Sequence, residues 1–154
     1  MSLLCLNAGV MDYNFVRMQT DKWVQDILNV NAVHVAFMTK VFIKRLVERN
    51  LDSSAILVTG SGLRALPIPG INVYCGTKKF VYYMCKALGE DLKRQKKKVR
   101  VVCFDSGPVS TNMTEHNKGM IGPEVASERA LSALGKTLEL NSFETQGFFG
   151  GELM

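Results

Sequence analysis

Short apolar runs alternate with longer stretches of helical period along this chain. "SLLCL" closes at Asn7-Ala8-Gly9, "AILVT" (Ala55 to Thr59) at Gly60-Ser61-Gly62, and "VRVVCF" (Val99 to Phe104) just before Ser106-Gly107-Pro108. Runs this short and this continuous suit strands buried on both faces of a parallel sheet. A last strand is predicted within "GFFGGELM". Between the first two runs, apolar residues at Trp23, Ile27, Val30, Val33, Phe37, Val41 and Ile43 predict one long helix from about Asp21 to Glu48, with Thr20 as its cap. A second helix is predicted from Val73 to about Arg94, after a loop marked by Pro67, Pro69 and Gly70. Pro123, at its favoured first position, opens a third. The alternation of strand and helix predicts an α/β fold with parallel strands and right-handed crossovers. No repeat, low-complexity segment or linker divides residues 1–154, so they read as a single domain.

Composition narrows the function classes. The chain has 154 residues, of which 47% are hydrophobic, enough for a real core and too apolar for a disordered chain. Much of the net charge of +5 sits in "KRQKKKVR" (Lys93 to Arg100). No stacking aromatics interrupt that run, so it reads as a solvated helix end and no nucleic-acid partner is expected. Cys5, Cys75, Cys85 and Cys103 have no C-x-x-C spacing. They read as small buried hydrophobes of an intracellular, reducing compartment. His34 and His116 are too isolated for a metal cluster, and His34 is expected to pack or to lie partly exposed. No apolar stretch is expected to span a bilayer, and no secretory leader is expected.

The chemistry begins with Tyr74 and Lys78, a Y-x-x-x-K pair one helical turn apart on one face. The pattern alone is weak, because Tyr82 and Lys86 repeat it eight residues on. Position separates the two. Ligands of an open α/β sheet bind beyond the carboxyl ends of the strands. Tyr74 falls in the first turn of its helix, near those ends, whereas Tyr82 lies more than two turns further down and reads as packing or surface. Ser61 closes the preceding strand thirteen positions before Tyr74. A hydroxyl there and a phenol at the helix top could hold one carbonyl oxygen from two sides. Lys78 is expected to lower the phenol's pKa, making it a usable proton donor and acceptor.

"LNAG", "NVNAVHVAFMTK", "ILVTGSG", "YCGTK" and "SGPVSTNM", in this order, resemble the short-chain dehydrogenase/reductase family over nearly the whole chain. "SGLRALPIPGINVYCGTKKFV" and "TQGFFGGELM" are most similar to its hydroxysteroid dehydrogenase and 3-ketoacyl-CoA reductase branch. The resemblance implies a partial Rossmann-like, doubly wound parallel sheet. It implies Tyr74 as acid/base, Lys78 as its tuner and holder of the nicotinamide ribose, Ser61 as the group that polarises the substrate carbonyl, and Asn31 as the fourth catalytic residue, supporting a proton relay through water. It further implies that Asn7, Ala8 and Gly9 stabilise the sheet beside the cofactor, and that Gly107, Val109 and Thr111 meet the nicotinamide. The implied cofactor is NADP or NAD, with NADP ahead. The implied reaction is reduction of a lipophilic ketone, 3-ketoacyl or steroid-like, or oxidation of the alcohol. Met113, Met120 and Ile121 read either as part of a substrate loop or as ordinary packing.

Three positions depart from the family pattern: Leu6, Ser106 and His34 stand where asparagine, proline and glycine are usual. None removes a catalytic group. A larger departure is that no glycine-rich pyrophosphate turn is found, and the first residues match the family's fourth strand, so the chain reads as a truncated domain. The opening strand would then be an apolar edge, a template for another chain. Three readings follow: a fragment with its active-site residues intact, a non-catalytic remnant serving as scaffold or subunit, or a chain active when another polypeptide supplies the missing strands. Partners implied are a homodimer through the two long helices, or a chain covering the first strand. The expected location is cytoplasmic, or at the endoplasmic reticulum if an upstream anchor exists.

Overall fold

The computed structural model describes residues 2–49, 54–116, 118–136 and 143–147. Strands β1 (Ser2–Leu6), β2 (Ser54–Thr59), β3 (Val99–Asp105) and β4 (Phe143–Gly147) form one parallel sheet, ordered in space as in sequence. Leu4 pairs with Ile56, and Ile56 with Val101, which brings the polar ends of the first three strands to one edge. The closing strand lies earlier than expected, at Phe143–Gly147. The rest of "GFFGGELM", residues 148–154, lies outside the described residues.

The long first helix forms as α1 (Asp21–Leu28) and α2 (His34–Arg49), joined without a break by a π-helical turn over Asn29–Val33. Thr20 caps it, its hydroxyl accepting from the Trp23 amide at 3.1 Å. Helix α3 (Asn72–Arg94) follows the Ser61 turn, and α4 (Pro123–Lys136) starts at its proline. The exposed basic run closes α3 as a solvated end, with Lys93 and Arg94 in the last turn, where cations suit the helix dipole.

Period-two alternation on the central strands feeds two cores. Ile56 and Val58 of β2 join Val99, Val101 and Cys103 of β3 beneath Val35 and Leu46 of α2 and Val81, Cys85 and Leu92 of α3. Ala55 and Leu57, with Val102 and Phe104, face the other way and meet Ala133 and Leu134 of α4. The sheet is therefore wound on both faces. It also corrects one expectation. The strand order continues in one direction while α4 lies on the face opposite α2 and α3, so the last crossover has the opposite hand to the first two. The apolar underside of β2 and β3 requires a cover, and α4 provides it.

Two further expectations are corrected. Cys5 is exposed, because β1 is the edge strand among those described and α4 covers only β2 and β3. Cys75, Cys85 and Cys103 are buried as expected. The continuous helix Asp21–Arg49 is, by length and composition alone, long and apolar enough to cross a bilayer. Ile27, Val35 and Leu46 of this helix are buried against the rest of the fold, whereas Leu28, Val33, Phe37 and Val41 are exposed.

Ile56 has no exposed surface at the middle of β2. Ile56→Ala should cost about 2–5 kcal/mol, from lost burial and the cavity left behind. Leu3→Ala on the half-open edge strand should cost less, and urea unfolding of both variants measures the contrast.

Candidate active site

The carboxyl ends of β1, β2 and β3 and the first turns of α3 enclose a cavity of about 880 Å³. Asn7, Ala8 and Gly9 line it after β1, Ser61 after β2, Tyr74 and Lys78 from α3, and Gly107, Val109 and Thr111 after β3. Nine of the ten residues singled out in the sequence thus share one wall. Each arrives because a strand ends and the chain must turn. Gly107 turns with φ +64°, a left-handed conformation that favours glycine. The Thr114 hydroxyl braces the same loop, donating to Val109 O at 2.6 Å and accepting from the Thr111 amide at 2.9 Å.

Tyr74 and Ser61 both line the cavity, with the Ser61 hydroxyl near enough to act on the phenol. Burial nevertheless raises the phenol's pKa above its ordinary value. The Ser61 hydroxyl opposes that rise, while the charges of Cys75 and Asp105 add to it. This reverses the expectation that Lys78 lowers it. Lys78 Nζ stands 5.7 Å from the Tyr74 ring centre and donates instead to the main-chain carbonyl of Thr59 at 2.9 Å. Burial pushes the Lys78 ammonium's own pKa down, with Cys103 and Asp105 resisting. Loss of solvent dominates for both groups, outweighing the Ser61 hydroxyl at Tyr74 and the neighbouring charges at Lys78.

Asn31 is the residue that does not line the cavity. It sits 1% exposed in the π turn, where the His34 amide reaches five residues back to Asn29 O. Its Oδ1 accepts from the Val10 amide at 2.8 Å, and its Nδ2 donates to Val10 O at 2.8 Å and to Thr77 Oγ1 at 3.3 Å. The side chain is thereby a tether between the loop after β1 and α3. His34 is half-buried, its Nδ1 3.0 Å from Val30 O. Of the expected substrate loop, Met113 lines the cavity, while Ile121 pairs with Val109 outside it and Met120 is not on the wall. Tyr82 packs under the Arg64 guanidinium, as its remoter position predicts.

Arg64 and Asp105 were not legible as site residues. Asp105 is 3% exposed at the end of β3, and its Oδ2 accepts from Arg64 Nε at 2.7 Å. Its other oxygen, Oδ1, is buried without a hydrogen-bond partner. Burial raises this carboxyl's pKa, with Arg64 opposing. The signal available in sequence was a single acid closing an otherwise apolar strand.

The family model described as short chain dehydrogenase matches residues 1–121, and the chain belongs to that family. A very-long-chain 3-oxoacyl-CoA reductase of Homo sapiens is 27% identical over 133 residues, covering 84% of this chain and 41% of that protein. One of Bos taurus is 31% identical over 103 residues, covering 60% of this chain and 32% of the relative. The chain thus spans less than half the length of these curated relatives. These names agree with the 3-ketoacyl reductase branch expected from the motifs. Among solved structures, a 3-ketoacyl-(acyl-carrier-protein) reductase from Brucella melitensis, complexed with NADH, superposes with TM-score 0.82 at 21% identity, over 98% of this chain and 66% of that one. Serine dehydrogenase from Escherichia coli gives 0.79 at 24% identity, over 95% and 63%. The likeness bears out the partial Rossmann-like sheet.

The Gly60 amide donates to Phe104 O at 2.8 Å, so β2 and β3 stay in contact beyond Thr59. A Cβ at Gly60 would lie 2.3 Å from Asp105 Oδ1 and 2.8 Å from Cys103 Sγ. Both atoms are held in a packed interior, so Gly60→Ala should destabilise by roughly 1–3 kcal/mol, as overpacking does. Thermal unfolding of that variant beside the parent chain is the check.

Proposed function

We propose that this chain carries the substrate-facing part of an NAD(P)-dependent oxidoreductase. It reduces a lipophilic ketone, 3-ketoacyl or steroid-like, or oxidises the matching secondary alcohol. The observation that carries the reading is the convergence of the Ser61 hydroxyl, the Tyr74 phenol and the Lys78 ammonium on one cavity at the strand ends. Apolar lining by Met11, Leu63, Leu66, Val109, Met113 and Leu131 supports a lipophilic substrate. The printed names of the curated relatives support a 3-oxoacyl group among such ketones.

The residues present suit the nicotinamide end of the cofactor, since the cavity holds a hydroxyl, a phenol and an ammonium beside the glycine-bearing loops after β1 and β3. Asn7 to Gly9, Lys78 and the Gly107–Thr111 loop would hold it. When bound, that group supplies hydride. The chain's own residues supply the proton. Ser61 and Tyr74 hold the carbonyl oxygen between two hydroxyls. Tyr74 gives up its phenolic proton as negative charge grows on that oxygen, and its raised pKa keeps the proton in place until then. Lys78 offsets the phenolate that remains. Asn31 keeps α3 in register with the β1 loop through Val10 and Thr77.

Fluorescence titration of NADPH and NADH against the 154-residue chain tests this. Saturable binding, weakened by Lys78→Ala, is expected. Tyr74→Phe should bind cofactor like the parent but reduce ketones more slowly by about 10²–10⁴-fold, the usual contribution of a positioned acid. A folded chain that binds neither cofactor at millimolar concentration overturns the reading for this chain.

A further inference from the structure

Arg64 is held from three directions. Its amide donates to Ser61 O at 3.1 Å, within the short turn that Ser61 opens. Its Nε donates to Asp105 Oδ2 at 2.7 Å, in an ion pair whose side chains are 18% and 3% exposed. Its guanidinium carbon stands 3.7 Å above the centre of the Tyr82 ring on α3. One side chain therefore joins the Ser61 turn, the end of β3 and the middle of α3. The Ser61 hydroxyl is itself oriented from within the turn, accepting from the Leu63 amide at 3.2 Å.

We infer that Arg64 is a positioning residue of this site: through Asp105 and Tyr82 it locks the Ser61 turn over the end of β3, and it compensates a buried carboxylate whose field reaches Tyr74 and Lys78. The energetics favour a positional role over plain stability. A buried ion pair costs several kcal/mol of desolvation per ion, roughly what its attraction returns, and apolar residues of similar size often stabilise as well or better. Gly60 adds a second sign. The chain approaches so closely that only the missing Cβ leaves space for Asp105 Oδ1. The carboxylate therefore lies against the backbone that carries Ser61, where its charge acts on the site at short range.

The inference rests on the reductase reading for the roles of Ser61 and Tyr74, yet its test needs no turnover. The groups facing the phenol are Cys75 and Lys78 on α3, Ser61 on its turn, and Asp105 on β3, with Cys103 beside Lys78. Ile27 of α1, Val10 and Met11 of the β1 loop, and Leu63 bring apolar surface.

Tyrosine is replaced throughout by 3-fluorotyrosine, and phenol ionisation is followed by fluorine NMR. The Tyr74 resonance is the one lost in Tyr74→Phe. Arg64→Met removes the guanidinium that offsets Asp105, so the Tyr74 phenol should titrate at higher pH than in the parent. Asp105→Asn removes the carboxylate, so the phenol should titrate at lower pH. Arg64→Lys keeps the cation and should stay near the parent. A turn merely loosened by breaking the pair would move both variants the same way. Shifts in one direction, or no shift in either, overturn the inference. Should Arg64→Met fail to fold, Asp105→Asn decides alone: a phenol that does not move down overturns it. Ketone reduction read beside the titration separates the two ideas. Opposite phenol shifts without turnover in the parent support the positioning role and count against the reductase reading.

Discussion

One side-chain amide holds the site together. Asn31 bonds both the amide and the carbonyl of Val10 and reaches the hydroxyl of Thr77, so three segments distant in sequence are fixed by three hydrogen bonds. An asparagine with no exposed surface to spare must find partners for its donors and acceptor. Here those partners are the loop that forms one cavity wall and the helix that carries Tyr74 and Lys78. The π turn follows from the same demand. Closing five residues back instead of four widens the helix at Asn29–Val33, where Asn31 is buried. Thr77 continues the chain of bonds, donating to Tyr74 O at 2.7 Å.

The charges of the site sit in low-dielectric surroundings, and this decides their behaviour. Lys78, 4% exposed, carries an ammonium that donates to the Thr59 carbonyl rather than to a carboxylate. The contact with the Cys103 thiol, together with burial, pushes the Cys85 thiol strongly up, which leaves it inert as a nucleophile. A site so sparingly solvated makes any charge that develops on a reacting oxygen strongly felt by its neighbours.

Much of the fold was legible because buried parallel strands and long helices leave strong patterns. The expected strand Ala55–Thr59 and the observed Ser54–Thr59 differ by one residue, as do the expected start of the second helix at Val73 and its start at Asn72. Ser61, Tyr74 and Lys78 were legible for a topological reason: loops after parallel strands must gather at one edge. What the sequence did not convey depends on burial and on contacts between distant residues. The direction of the Tyr74 shift turned on desolvation, which helical spacing to Lys78 does not reveal. Arg64 and Asp105 lie 41 positions apart, and no local pattern announces their pairing. Cys5 looked buried because its run is apolar, but an edge strand hides only alternate residues. The hand of the last crossover depended on which face of the sheet lacked a cover.

The strands stand in space in the order in which they are made. Ser2 pairs with Ser54, Ser54 with Val99, and Val101 with Phe143, so each new strand finds its template already synthesised. Every pairing closes a segment of about 40–50 residues, and closure entropy grows only slowly with length, so no step is much easier than the next. A growing chain can therefore add strands one by one without threading any of them between two already paired. The same non-local closures make refolding of these residues slow for their number, compared with a helical bundle.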